Sequence, residues 1–227
     1  MRVNLFMPIQ IDRLIRSKRR TIALIVERDG TLTVRAPMRA LLREIESFVV
    51  EKGDWIERAR RKMKSMILVP RQYADGETFL FLGSSFDLKL VRPQRPPLKF
   101  DNGFHLSQTA QKRGEQVFTR WYKERAFEII SERLNQFARQ YGFEPKQVKI
   151  TSARTRWGSC SPDGTLNFTW RLVMAPLEVI DYVVVHELAH LRVKNHSKRF
   201  WKVVESILPE YKRQRKWLSG HGEKLTL

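Results

Sequence analysis

Cysteine is nearly absent from this chain of 227 residues, and Cys160 is the single example. One thiol excludes an intramolecular disulfide and, without thiol neighbours, a cysteine-built structural zinc site, so a reducing cytoplasm is the expected setting. Long apolar runs are missing too. None approaches the roughly 18 residues that a membrane span needs. Residues 1–20, MRVNLFMPIQIDRLIRSKRR, lack the apolar core and small-residue cleavage site of a signal peptide. A soluble protein with no membrane partner is expected. Glycine and proline, 11 and 10 residues, are scattered through a composition that is 42% hydrophobic and 30% charged, which excludes disordered and fibrous classes. Acidic residues are also scarce. There are 24 against 43 Lys and Arg, a formal net charge of +19, and this draws polyanions without choosing among nucleic acid, nucleotides, anionic membranes and acidic substrates. Basic residues concentrate in RLIRSKRR (Arg13 to Arg20) and YKRQRKW (Tyr211 to Trp217).

The length suits two modest domains. TIALIVERDGTLTVRAP places β-rich runs on either side of Asp29-Gly30, a two-residue hairpin signal. From Leu41 to Met66, apolar residues recur at helical spacing and predict one long amphipathic helix that Gly53 bends or interrupts. ETFLFLGSSFDLKLV returns to strand with a turn at Gly83-Ser84, and RPQRPP then breaks regular structure. A second long helix is expected from Gly114 to Tyr141, stopped by Gly142. The segment from Lys146 to Pro176 reads as a hairpin turning near Pro162-Asp163-Gly164. Pro176 suits the start of the next helix, and Ser197 the cap of another. The expected fold class is α+β: a β-rich N-terminal domain over 1–108, then a catalytic domain over 109–227 with its active-site helix beside a small sheet.

Histidine is used only five times, yet His186, His190 and His196 fall within VVVHELAHLRVKNHSKRFW. Residues four apart on a helix share a face, so His186 and His190 can bring two imidazoles to one metal. Glu187 is rotated about 100 degrees from His186, off the ligand face but within reach of a metal-bound water, whose proton it can take. This is the His-Glu-x-x-His pattern of zinc hydrolases. If the helix ends near Lys194-Asn195, with Asn195 in the left-handed conformation, the chain can turn back and offer His196 as third ligand. Glu205 is the rival for that position. Three imidazoles and an open position favour one Zn2+ per chain, with iron, nickel and manganese as alternatives. His105 and His221 are isolated and read as ordinary surface histidines.

RWGSCSPDGTLNFTWRLVMAP, VIDYVVVHELAHL and NHSKRFW together resemble the YgjP-like metallopeptidase family, metal-dependent hydrolases related to SprT-like zinc peptidases. The resemblance is strong from Thr151 to Trp217 and extends to SKRRTIALIVERDGTLTVRAP. It implies a zincin-like catalytic domain with His186, His190 and His196 as zinc ligands and Glu187 as base. It also implies a strand beside the active-site helix, for which Asn167 to Arg171 is the candidate, where an extended peptide adds to the sheet edge. Arg156, Ser159, Asn167 and Arg171 are the substrate-binding candidates. The histidine spacing matches metzincin peptidases, but Val193 stands where those enzymes carry glycine.

The leading function is a zinc-dependent peptidase acting on a peptide or protein. A metal-dependent nucleotide pyrophosphatase, a label carried by some family members, is the alternative; it lacks a glycine-rich phosphate loop or an acidic metal cluster. A nucleic-acid-associated protein with SprT-like protease activity is the third reading, delivered to nucleic acid by the basic surface.

Overall fold

The computed structural model describes residues 9–27, 29–65 and 71–227. Among them are six α-helices and three small sheets, a mixed α+β fold. The chain divides into two compact units, 1–70 and 71–227.

In the first unit, β1 (Arg13–Ser17), β2 (Ala23–Val26) and β3 (Leu32–Pro37) form a sheet in the order β1-β3-β2. The β2–β3 hairpin turns at the expected place: Gly30 has φ +87°, a region open to glycine at little cost, and the Thr31 amide donates to Asp29 Oδ1 at 2.9 Å. β3 is central, so Leu32, Val34 and Ala36 are buried, whereas edge strand β1 is exposed throughout. The helix expected from Leu41 is interrupted at Gly53 as read, giving α1 (Leu42–Glu51) and α2 (Gly53–Ser65), because the chain leaves helical pairing at Lys52 and restarts at the glycine. Met66, its expected end, lies outside the described residues. Ile45, Val49 and Ile56 from these helices close the core over Val26, Leu32, Val34 and Ala36.

The second unit opens with β4 (Thr78–Phe81), β5 (Ser84–Val91), β6 (Leu98–Phe100) and β7 (Phe104–Ser107), ordered β4-β5-β7-β6. Its first turn is centred on Leu82 and Gly83, φ +48° and +83°, one residue before the expected Gly83-Ser84. A leucine pays for that backbone conformation, and the amides of both residues are held by the carbonyls of Val173 and Met174 at 2.8 and 3.1 Å. Helix α3 (Gly114–Tyr141) ends as expected on left-handed Gly142, φ +65°. Its stripe Phe118, Tyr122, Ala126, Ile130, Leu134 repeats every four residues and is fully or almost fully buried, with Phe118 stacked on Phe79 at 4.1 Å. Position 108/109, the expected domain boundary, falls inside this unit, since the strands before it and α3 after it bury one shared aromatic cluster.

A third sheet places β8 (Gln147–Thr151), β10 (Thr165–Thr169) and β9 (Gly158–Cys160) in the order β8-β10-β9. This corrects the substrate-strand expectation. Asn167 to Arg171 cannot offer an edge: β10 is paired on both sides, parallel to β8 and antiparallel to β9, and Trp170 and Arg171 lie in the 3-10 turn that follows. The free edges are those of β8 and β9, and β9 is the one that lies against the histidine-bearing helix. Helix α4 (Leu177–Arg192) carries the histidine pair and packs on α3, on β9, and on α5 (Lys198–Ile207) and α6 (Tyr211–His221). Arg133 of α3 grips Asp181 of α4 through both carboxylate oxygens, at 2.5 and 2.6 Å. No helix among the described residues is long and apolar enough to cross a membrane.

Candidate metal centre

Helix α4 is anchored by what its sequence buries. Val179, Ile180, Val183, Val184 and Leu188 are at most 4% exposed, and burying each contributes about 1.5–3 kcal/mol. Their packing fixes the rotation of the helix, and with it the direction of the two histidines. Val183 and Glu187 are one turn apart, so Glu187 follows the apolar face inward and is itself only 5% exposed.

The helix stops sooner than the sequence suggests. Its last residue is Arg192, and Val193 is extended, φ −134° and ψ 108°. Asn195 does not adopt the left-handed conformation; its side-chain oxygen instead accepts the Ser197 amide at 3.3 Å. Ser197 takes the cap position of α5, though its hydroxyl makes no capping bond. This short return brings His196 back over α4. Its Nε2 lies 2.9 Å from Nε2 of His186 and 3.2 Å from Nε2 of His190, and one ligand nitrogen from each of the three falls within 4.8 Å of the others.

Three nitrogens converging on one point suit a shared cation better than each other, since a single N–H cannot serve both neighbours well. The two spacings from His196 are within about 0.5 Å of the roughly 3.4 Å that separates two ligands bonded at about 2.0–2.1 Å to a tetrahedral zinc. His190 Nδ1 lies 3.1 Å from the Val193 carbonyl; donating there fixes the tautomer that leaves Nε2 a free lone pair. Burial disfavours the charged form of both α4 histidines. His186 is driven down to about 3, by burial first and then by the charges of His190, His196 and Arg215. His190 is also lowered, chiefly by burial. Both therefore present neutral imidazoles at neutral pH. Glu205, the rival ligand, is turned outward to Lys212 Nζ at 3.7 Å and takes no place in this cluster.

Glu187 sits beside the cluster without a hydrogen-bond partner for its buried Oε2. Burial raises its pKa to about 8, against the opposing pull of Arg156. Cys160, on β9, has its thiol pushed up, mainly by burial, away from the reactive range.

The substrate candidates are divided. Arg156 is exposed, and its charge reaches Glu187. Ser159 is on edge strand β9 opposite Asn167, whose amide contacts Ser161 Oγ at 3.4 Å. Arg171 is buried, donates to the Ser152 carbonyl at 3.1 Å and stacks on Trp170, an arrangement that holds the turn together.

Two aromatic residues complete the centre without having been marked by the sequence. Phe200 is fully buried, with its ring 4.5–4.8 Å from all three imidazoles. Trp201 stacks on His196 at 5.8 Å. Their signal in the sequence is NHSKRFW, where they follow the third histidine by four and five residues; which way their rings face is set by the packing of α5 on α4.

The family profile "YgjP-like, metallopeptidase domain" matches residues 20–221, and the chain belongs to that family. It is a metallopeptidase-like hydrolase, and its family implies a metal ion that the histidine cluster could bind. Among solved structures, the metallopeptidase zymogen abylysin of Pyrococcus abyssi is 23% identical, with a TM-score of 0.37 over 40% of this chain and 93% of that one. The zymogen jannalysin of Methanocaldococcus jannaschii is 20% identical, with a TM-score of 0.34 over 39% and 94%. No curated protein matches the sequence.

Proposed function

We propose that the protein is a zinc-dependent peptidase in which His186, His190 and His196 hold one zinc ion and Glu187 is the general base. The observation that carries this reading is the convergence of three Nε2 atoms, at 2.9 and 3.2 Å, beside a buried carboxyl with an unpartnered oxygen. Zinc bound there supplies Lewis acidity, which lowers the pKa of water toward about 7 and polarises a carbonyl.

The remaining work belongs to the chain. Glu187 holds and delivers protons: its site tolerates the neutral acid, since burial favours it, while the Arg156 charge favours the carboxylate. A group balanced between these influences can take a proton in one step and return it to a leaving amine in the next. Helix α4 beside the β8-β10-β9 sheet supports a zincin-like reading, and we assign the chemistry to residues 109–227 of the second unit. The unpaired edge of β9, Gly158–Cys160, is where an extended peptide would add by backbone hydrogen bonds, next to Glu187.

Glu187→Gln tests the reading. It keeps the shape and the histidines but removes the base, so hydrolysis should fall about 10²–10⁴-fold while zinc content stays at one per chain. Peptides, nucleotides and DNA-bound proteins are the substrates to screen. Undiminished hydrolysis of the substrate that works would remove Glu187 from the mechanism.

A further inference from the structure

Arg215 of α6 lies over Trp201, the ring that stacks on the third histidine, and among the described residues no acid pairs with it. Its guanidinium lies 4.8 Å from the centre of the Trp201 ring, the ring that stacks on His196 at an interplanar angle of 24° and on Tyr211 at 14°. Tyr211 in turn stacks on Tyr182 of α4. The aromatic pile therefore ties the arginine to the ligand loop from one side and to the ligand helix from the other. Its neighbours in sequence behave differently: Lys212 pairs with Glu205 at 3.7 Å and Arg213 with Glu210 at 4.0 Å. Among the described residues no carboxylate forms an ion pair with Arg215, although it is exposed and the guanidinium fork is free to bind. Its charge is felt at His186, which is buried in the centre.

A cation beside a cationic metal is an electrostatic cost that folding alone does not repay. Stacking on Trp201 explains where the guanidinium rests, but a neutral side chain would stack there without repelling the site. The planar fork, held by an aromatic face and lacking an internal acid, is the form in which arginine recognises carboxylates by paired hydrogen bonds. Arg156 and Lys194 add positive potential from two other segments, at Glu187 and at His190. Resting on the peptidase reading, we propose that Arg215 is a specificity-determining residue that binds a carboxylate of the peptide substrate close to the scissile bond. The carboxylate comes from an acidic side chain or from a free C-terminus.

Zinc-loaded Glu187→Gln protein, with and without Arg215→Gln, is equilibrated with two random heptapeptide libraries, one with free and one with amidated C-termini. Retained peptides are read by mass spectrometry. Arg215 is exposed, and unchanged melting temperatures confirm that both proteins are folded. The expected result is about tenfold enrichment of anionic peptides that depends on Arg215, as for one charge-assisted hydrogen-bonded pair. Enrichment of Asp and Glu at a fixed position names a side-chain carboxylate; preference for the free-acid library names the C-terminus. Equal enrichment in both proteins, enrichment in neither, or retention of no peptide overturns the proposal. Incubating the same libraries with the native chain tests the peptidase separately. Arg215-dependent enrichment without cleavage would sink the peptidase and keep the subsite, whereas cleavage without enrichment would sink the subsite alone.

Discussion

Gly158 on β9 and Glu187 on α4 touch so closely that a Cβ on residue 158 would stand 2.6 Å from both Cγ and Oε1 of Glu187. The bare backbone of the edge strand is thus the wall against which the proposed base rests. Gly158→Ala should leave the histidines alone but push the whole carboxyl arm aside, since Cγ as well as the flexible end is struck. A displacement approaching 1 Å lowers catalysis by about 10²-fold. We expect kcat to fall by that order with zinc content unchanged. Native kcat in the alanine variant would show that Glu187 has room to spare and that this contact is not what positions it.

The metal should be visible in stability before any substrate is known. A ligand that binds only the folded chain, at about 100 times its Kd, adds about 2.7 kcal/mol, which for a chain of this size raises the melting temperature by roughly 5–10 °C. Zinc should do this to the chelator-stripped native chain and not to His186→Ala or His190→Ala. Metal content by mass spectrometry should read one zinc per chain in the first and none in the variants. A full thermal shift in either variant would dismantle the ligand set.

How much of this the sequence carries depends on how local the cause is. Gly142 ends α3 and Gly30 turns a hairpin as read, because both depend on φ values that few other residues adopt. His186 and His190 were legible for the same reason, since helical spacing alone puts them on one face. The strand order was not: the hairpin with β9 is legible, but the pairing of β10 with β8, beyond β9 in the chain, is what makes it central and not the edge that the family resemblance implied. That Phe118 and Tyr122 are fully buried at the start of α3 was not legible either, because the sheet it meets sets which side of a broad apolar face turns inward. Phe200 and Arg215 reach the centre through tertiary contacts that no spacing rule contains.

The turn between β9 and β10 should give the chain a measurable acid sensitivity. Asp163 is held down to about 2 by Lys146 and by the amide and hydroxyl of Thr165, from a usual value of 3.8. A carboxylate lowered on folding stabilises the native state above its unfolded pKa and loses that contribution as pH falls through the folded one. Asp163→Asn should therefore melt lower than the native chain at pH 7, with the difference closing between pH 3.8 and about 2. The group is fully exposed, so the effect is small and is best read as the difference between two melting curves measured at each pH. A gap that persists unchanged to pH 2 would mean that the aspartate acts through shape and not through charge.

Phe200 should matter to the metal more than to the fold. Its ring underlies all three imidazoles at 4.5–4.8 Å, and the side chain is wholly buried. Phe200→Ala would open a cavity costing about 3–5 kcal/mol, enough to confuse loosening of the site with unfolding. Phe200→Leu keeps most of the apolar volume and removes the flat surface that stops the imidazoles from tilting. We expect a folded protein, with a loss of stability of about 1–1.5 kcal/mol, and zinc affinity lower by about tenfold, the lower end for losing a group that orients ligands. The two effects are separable, because a chemical melt of the metal-free chain reads the first and a competition titration with a zinc chelator reads the second. Native affinity in Phe200→Leu would mean that the helix and the His196 loop hold the histidines unaided, and that the phenyl ring serves the core alone.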